Sequence, residues 1–314
     1  MRITNNMVSD RVVSDLQARY AQLANTQLQI STGRRVNNPS DDPTAAAQER
    51  MRQSELEGIQ SSQKTVAGTQ SWLNQAETSL GQVGDVLARA KELATAGANG
   101  AMSQTDRNGI ANEIDQLIQS AKEAMNARVG GDYIFSGTKS DIPPYSTATG
   151  DAYQGDTAAV TRTGGAGVTL QNNPTFVALG GASQTLNGSS VLGNGSASGD
   201  GRVLDALTQL AAHLRGGTPA DLAAVGGSDL KALENNRVAV SSAVSAIGAM
   251  SNRATAAASR LTDLEAGATQ SIDDLTGVDM AKAITDYSAQ SAAYQASLKV
   301  GAQIIQPSLL QFLT

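Results

Sequence analysis

The sequence predicts a mainly α-helical protein with a small β-rich insert in the middle of the chain. Its N- and C-terminal helices pair as a coiled coil, and a long antiparallel helical rod lies between them. Three observations carry this. The spans 44–142 and 220–306 contain no proline, as long helices require. Apolar residues along both flanks recur at spacings of three and four. Between Gly130 and Gly201, which hold 15 of the 31 glycines, the apolar period shifts to two.

The first helix covers about residues 5 to 32. Val13, Leu16, Tyr20, Leu23, Gln27 and Ile30 form its seam, and Gly33 ends it. Residues 33–43 are dense in turn formers, with Asp42 placed to cap the next helix and Pro43 at its first position. That second helix is expected to reach about Ala96. Its stripe runs unbroken through Ile59, Val66, Leu73, Leu80, Leu87 and Ala94, a rod of roughly 80 Å at 1.5 Å per residue. A turn over 97–103 leads to a third helix with Ile110, Ile114, Leu117, Ala121 and Ala124 on one face. Short strands are expected at Tyr133–Phe135, Val160–Thr163, Val168–Leu170 and Thr175–Leu179, with 180–201 as loop. Helix resumes over Val203–Leu214. A loose stretch follows Gly216–Pro219, and a long helix covers about 228–268. Met280, Ile284, Tyr287, Ser291, Tyr294, Leu298, Gly301 and Ile305 then form a second heptad ladder.

The segment from Val300 through Thr314 has no charged side chain yet holds Ile304, Ile305, Leu309, Leu310, Phe312 and Leu313. At ~1.5–3 kcal/mol per large side chain, covering it stabilises by several kcal/mol. A lone pair of terminal helices is marginal in water, because nucleation and chain ordering offset the seam. Ends that are loose in the monomer and fold against other copies are therefore expected. The candidate assembly interface is Val13, Leu16, Tyr20, Leu23, Ile30, Ile284, Tyr287, Tyr294, Leu298, Ile305, Leu309, Leu310, Phe312 and Leu313.

Composition excludes much chemistry. The 314 residues include no Cys, which removes disulfides, thiolate metal sites and a cysteine nucleophile, and a single His, His213. Only 3% are aromatic, so packing must rest on Ala, Leu, Val and Ile. A formal charge of −6 offers no global basic field for nucleic acid. No stretch approaches a membrane span, and Met1–Asp10 lacks the apolar core of a cleavable signal. Ser61–Lys64 and Ser136–Lys139 match Ser-x-x-Lys, but one lies in a predicted helix and the other in a turn, without a companion motif. Asp41/Asp42 and Asp273/Asp274 are read as helix-start caps, Asp151 and Asp156 as turn residues, and His213 as a helix-surface or partly packed side chain. Arg34 and Arg35 can pair with Asp41 and Asp42. No enzymatic activity, cofactor or metal is expected.

The segment Ile30–Ala46, ISTGRRVNNPSDDPTAA, resembles the hinge between the first two helices of flagellin-type proteins, and it falls at the family's place in the chain. The start, MRITNNM, is similar to that of the junction members of this family. Gly131–Thr138 (GDYIFSGT) with Tyr153–Asp156 (YQGD) resembles the hook-associated protein 3 group more than flagellin itself. Ile247–Arg253 and Ser308–Leu313 fit the returning helix and terminus of that group, and the resemblance fades over about 157–200. It implies three domains: an inner coiled coil of 1–38 and 278–314 that folds on assembly and lines a narrow tube, a helical rod of 39–145 and 202–277 with a short β hairpin, and an outer β-rich insert of 146–201. It further implies a structural adaptor between hook-associated protein 1 and the flagellin filament, arranged as a ring of copies. Export would use the flagellar type III route with a flagellar export chaperone, with no part for nucleic acid or membrane. The alternatives are a filament-forming flagellin or a non-flagellar secreted coiled-coil protein.

Overall fold

A computed structural model describes residues 5–146, 152–165, 169–196 and 198–310, with side chains for 7–303 of these. α1 (Asn5–Thr32) stops at Gly33, whose φ of +68° suits a residue without a Cβ. α2 (Pro43–Gly97) starts on Asp42, whose Oδ1 accepts the Ala45 N–H at 3.0 Å. α3 (Gln104–Met125) is capped by the Ser103 hydroxyl. β1 (Arg128–Val129) and β2 (Asp132–Tyr133) form a hairpin on Gly130 and Gly131, both at positive φ. β3 (Thr161–Thr163) pairs antiparallel with β4 (Thr169–Gln171), and β5 (Thr175–Val177) with β6 (Ser183–Thr185). The chain then runs through α4 (Gly188–Val191), α5 (Val203–Gly216), α6 (Pro219–Ala224), a π-helical turn at Val225–Asp229, α7 (Leu230–Thr276) and α8 (Met280–Leu310).

Most departures from expectation concern short elements. The 180–201 segment holds β6 and α4, the latter fixed by Asn187 and Ser190, which cap each other's backbone. The stretch after Pro219 is helical because Thr218 and Asp221 make the same reciprocal cap. The strand at Tyr133–Phe135 stops at Tyr133, since Ile134 and Phe135 are buried in the core. One correction touches a candidate site. Asp273 and Asp274 do not cap a helix start; they lie in the last turn of α7, which runs on to Thr276. Asp279 caps α8 instead, its Oδ1 accepting the Lys282 N–H at 3.1 Å.

The chain forms two compact units, residues 1–58 with 264–314 and residues 59–263. The second contains the main core. Along α2, Val66, Leu73, Leu80 and Val83 are fully buried; along α7, Ala243, Ile247 and Ala254 are. Gln70 reaches Thr255 at 3.4 Å and Lys91 reaches Glu234 at 3.0 Å, so the two helices run antiparallel. α3 packs on α5, with Gln104 Nε2 donating to the Leu214 carbonyl at 2.9 Å. The β-rich segment joins this core: Leu170, Phe176, Leu186 and Leu192 belong to the same buried cluster. A Cβ on Gly165 would lie 2.8 Å from Ser62 Oγ and 3.5 Å from Leu261, so the β3–β4 hairpin lies back against α2 and α7.

In the first unit α1 packs along α8. Thr26 Oγ1 lies 2.9 Å from Gln290 Oε1, and the Tyr20 and Tyr294 rings meet at 5.9 Å between centroids. Gly301 is buried because its backbone passes Val12: a Cβ there would sit 3.1 Å from Val12 Cγ1.

Candidate assembly surface

Within α1 and α8, the only buried positions among the described residues are Thr26, Ala283 and Gly301. All three are small, so the two backbones can approach closely there. Of the residues expected at the interface, Leu16, Leu23, Ile30, Tyr287 and Tyr294 are half-buried between the helices. Val13, Tyr20, Ile284 and Leu298 stay outside, at 44%, 60%, 52% and 44% exposure. The side chains of Ile305, Leu309 and Leu310, and the whole of Phe312 and Leu313, lie outside the described residues. Among the described residues, eight of the thirteen exposed large hydrophobic residues belong to these two helices, an uneven share for one stretch of surface.

Two grooves flank the seam. One, of about 300 Å³, is lined by Val12, Asp15, Leu16, Arg19, Ala296, Ser297, Val300 and Gly301. The other, of about 340 Å³, is lined by Val13, Leu16, Gln17, Tyr20, Tyr294 and Leu298. Leu16 is common to both, so they lie on either side of it.

The hinge segment after α1 is fastened to the start of α2, the last turn of α7 and the link from α7 to α8. Arg34 bridges to Gly277, the Arg35 N–H donates to the Thr276 carbonyl at 2.7 Å, and the Val278 N–H donates to the Gly33 carbonyl at 3.1 Å. The Arg35 guanidinium also reaches the Leu275 carbonyl at 3.0 Å and Asp42 at 3.3 Å, while Arg34 pairs with Glu49. Asp42 is held below the usual carboxylate range, first by the Ala45 N–H, which outweighs desolvation, and then by Arg35. Asp41 does not cap the helix; its Oδ2 accepts the N–H groups of Asn37 and Asn38 at 3.1 and 2.8 Å.

The second motif, around Ser136 and Asp156, is a structural knot. Asp156 Oδ1 accepts the Thr138 and Ala158 N–H groups, each at 3.0 Å, and its other oxygen takes the Thr138 hydroxyl. Gly137, at φ +68°, leaves room: a Cβ there would fall 2.1 Å from Asp156 Oδ1. The Tyr153 hydroxyl lies between the carbonyls of Phe135 (2.9 Å) and Asp156 (2.8 Å), and burial, then the Asp156 charge, pushes that phenol up. Ser136 is buried and donates to the Ile142 carbonyl at 2.6 Å, which leaves it no part in a Ser/Lys pair. His213 faces a buried carboxylate that sequence spacing did not pick out: its Nδ1 lies 2.7 Å from Asp229 Oδ2, in the π turn. Among the described residues no three His, Asp or Glu side chains are grouped to hold a metal ion. Among the same residues no helix is long and apolar enough to cross a membrane.

The chain thus has two paired terminal helices that carry exposed apolar side chains, and a separately cored, mainly helical unit. The model of the bacterial flagellin N-terminal helical region matches residues 3–140, and that of the C-terminal helical region matches 230–313, together about seven-tenths of the chain. The chain belongs to the flagellin family. Flagellar hook-associated protein 3 of Escherichia coli is 28% identical over 99% of both chains. That of Salmonella typhimurium is 32% identical over 52% of this chain, a match spanning about half (51%) of that relative. A solved structure described as a flagellar hook-associated protein of Vibrio parahaemolyticus superposes with a TM-score of 0.64 at 23% identity, covering 76% of this chain and all of that one. The FlgL crystal structure from Bacillus cereus does so at 0.53 and 20% identity, over 71% of this chain and 99% of that one. These structures share the fold.

Proposed function

We propose that this chain is the structural adaptor of the bacterial flagellum that joins hook-associated protein 1 at the hook end to the flagellin filament. The observation that carries the reading is the concentration of exposed large apolar residues on α1 and α8 among the described residues, Val13, Tyr20, Ile284 and Leu298 among them. At about 25 cal/mol per Å² of apolar surface, a neighbouring copy that covers them supplies the stabilisation the pair lacks alone. The full-length match to hook-associated protein 3 favours an adaptor over the filament subunit itself.

In this reading 1–38 and 278–314 form the inner coiled coil of a ring of copies, 39–145 with 202–277 the rod, and 146–201 the outermost part. The chain leaves the cell through the flagellar export route, with an export chaperone holding its apolar C-terminal segment beforehand.

Electron microscopy of a gene deletion tests the role. Loss of the adaptor leaves hooks without filaments and flagellin shed into the medium. Normal filaments on the deletion strain would refute it, and completed junctions lacking only filament would assign the chain to the filament instead.

A further inference from the structure

Four Asn–Gly steps occur in the sequence, at Asn99, Asn108, Asn187 and Asn194. With no Cβ on the following residue, the next backbone nitrogen can approach the asparagine side-chain carbonyl carbon, and a five-membered ring can close. The fold treats the four steps differently. Asn187 is 1% exposed, its Oδ1 accepts the Ser190 N–H at 2.9 Å, and the Gly188 N–H is given to the Phe135 carbonyl at 2.9 Å. Asn108 lies inside α3, where the Gly109 N–H belongs to the helix ladder. Asn194 is exposed, but Gly195 is buried, away from the solvent that must take its proton. Asn99 stands in the turn between α2 and α3, and both it and Gly100 are exposed. Among the described residues nothing accepts the Gly100 N–H. The Asn99 side chain folds forward over that peptide: its Oδ1 accepts the Ala101 N–H at 3.0 Å.

We propose that Asn99 is a site of spontaneous covalent modification, deamidating through a cyclic imide formed with Gly100. The Gly100 nitrogen attacks Asn99 Cγ and loses its proton to hydroxide. The Ala101 N–H, already seated on Oδ1, stabilises the negative charge that gathers there, as an oxyanion donor does. Collapse breaks the Cγ–Nδ2 bond and releases ammonia. Water then opens the ring. Cleavage of the Cγ–N bond leaves aspartate; cleavage at the Asn99 main-chain carbonyl leaves isoaspartate, whose backbone runs through Cγ. One water is consumed and one ammonia lost, and no oxidant or reductant takes part. Both products place a carboxylate just past the C-terminal end of α2, where the last carbonyls already carry partial negative charge. The isoaspartate route also takes the Asn99 carbonyl out of the main chain. That carbonyl accepts the Met102 N–H at 3.1 Å and the guanidinium of buried Arg107 at 3.2 Å, so conversion loosens the α2–α3 turn as the protein ages.

The test incubates the folded full-length chain in warm, mildly alkaline buffer, beside a sample unfolded in guanidinium. Both are then digested with trypsin under mildly acidic conditions. Peptide 92–107 contains Asn99 as its single asparagine, and mass spectrometry after chromatography separates its aspartate and isoaspartate forms. In the folded chain Asn99 is expected to convert at least about tenfold faster than Asn108, Asn187 and Asn194, which must first open locally, and to yield both isomers. In guanidinium the four sites are expected to agree within about threefold, because only local sequence then acts. Gly100→Ala is expected to slow conversion of Asn99 at least about tenfold. Its Cβ would meet nothing within 4 Å, so the turn itself is kept. Conversion of Asn99 no faster than at the other three sites of the folded chain overturns the inference. So does slower conversion in the folded chain than in the unfolded one, or aspartate formed without isoaspartate.

Discussion

Asp156 holds a loop together because one carboxylate accepts three donors from two separate segments, the Thr138 N–H and hydroxyl and the Ala158 N–H. Burial alone would push its carboxyl up, but the Thr138 side chain and backbone N–H, with the Ala158 N–H, outweigh that and hold it below the usual carboxylate range. A carboxyl depressed in the fold stabilises above its unfolded value, and that stabilisation is lost as pH falls through the folded value. Asp156→Asn is expected to cost about 1–3 kcal/mol at neutral pH. It should also flatten the loss of stability below about pH 4, seen as urea midpoints at pH 7 and pH 3 that lie closer together than in the unsubstituted chain. Gly277 is a second position where one atom decides. A Cβ there would lie 2.4 Å from the Asp273 carbonyl oxygen, against backbone that cannot swing away. Gly277→Ala should destabilise the hinge by about 1–3 kcal/mol. Faster hydrogen exchange is expected at the Arg35 and Val278 amides, which pair across it.

At the scale of elements, the long helices are held by their stripes. Leu73 on α2 is fully buried, whereas Val238 on α7 is 59% exposed. Leu73→Ala should cost about 2–5 kcal/mol in urea unfolding, because neighbours on two helices cannot close the gap. Val238→Ala should change stability by under about 0.5 kcal/mol. Equal losses at both positions would mean that α2 and α7 do not pack as described. The same contrast explains which elements were legible. α2 and α7 repeat the helical period many times, so their existence and approximate length follow from pattern alone. α4, β6 and α6 span four, three and six residues, too few for any period to register. Only their caps announce them. The end of α7 was misjudged because no proline or left-handed glycine lies between 268 and 276, so the helix simply continues past Asp273.

For the whole molecule, the large buried cluster lies within residues 59–263, and among the described residues the terminal helices contribute nothing to it. Removing 300–314 should therefore abolish assembly while leaving the thermal unfolding of the 59–263 unit within about 2–4 °C of the full chain. A collapse of that transition would show the segment to be part of the monomer's own core. The candidate interface was legible as a set but not in its arrangement. A heptad ladder marks an apolar stripe wider than a two-helix seam needs. It cannot say that Leu16 and Tyr294 turn inward while Val13 and Leu298 turn out. That division follows from the close approach at Thr26, Ala283 and Gly301, which sets the rotation of each helix about its own axis.

The amino-acid sequence by itself determined the long helices, the break at Gly33, the capped start at Pro43, the family hinge and the absence of thiol chemistry, because each rests on local periodicity or on residue types that act alone. Tertiary structure decided the rest. It set the hairpins onto the helical core, Asp229 opposite His213, the knot at Asp156 and the side of the terminal pair that stays uncovered. Each of these depends on which distant segment comes within a few ångströms, and that is fixed by packing across the fold, not by the spacing of residues along the chain.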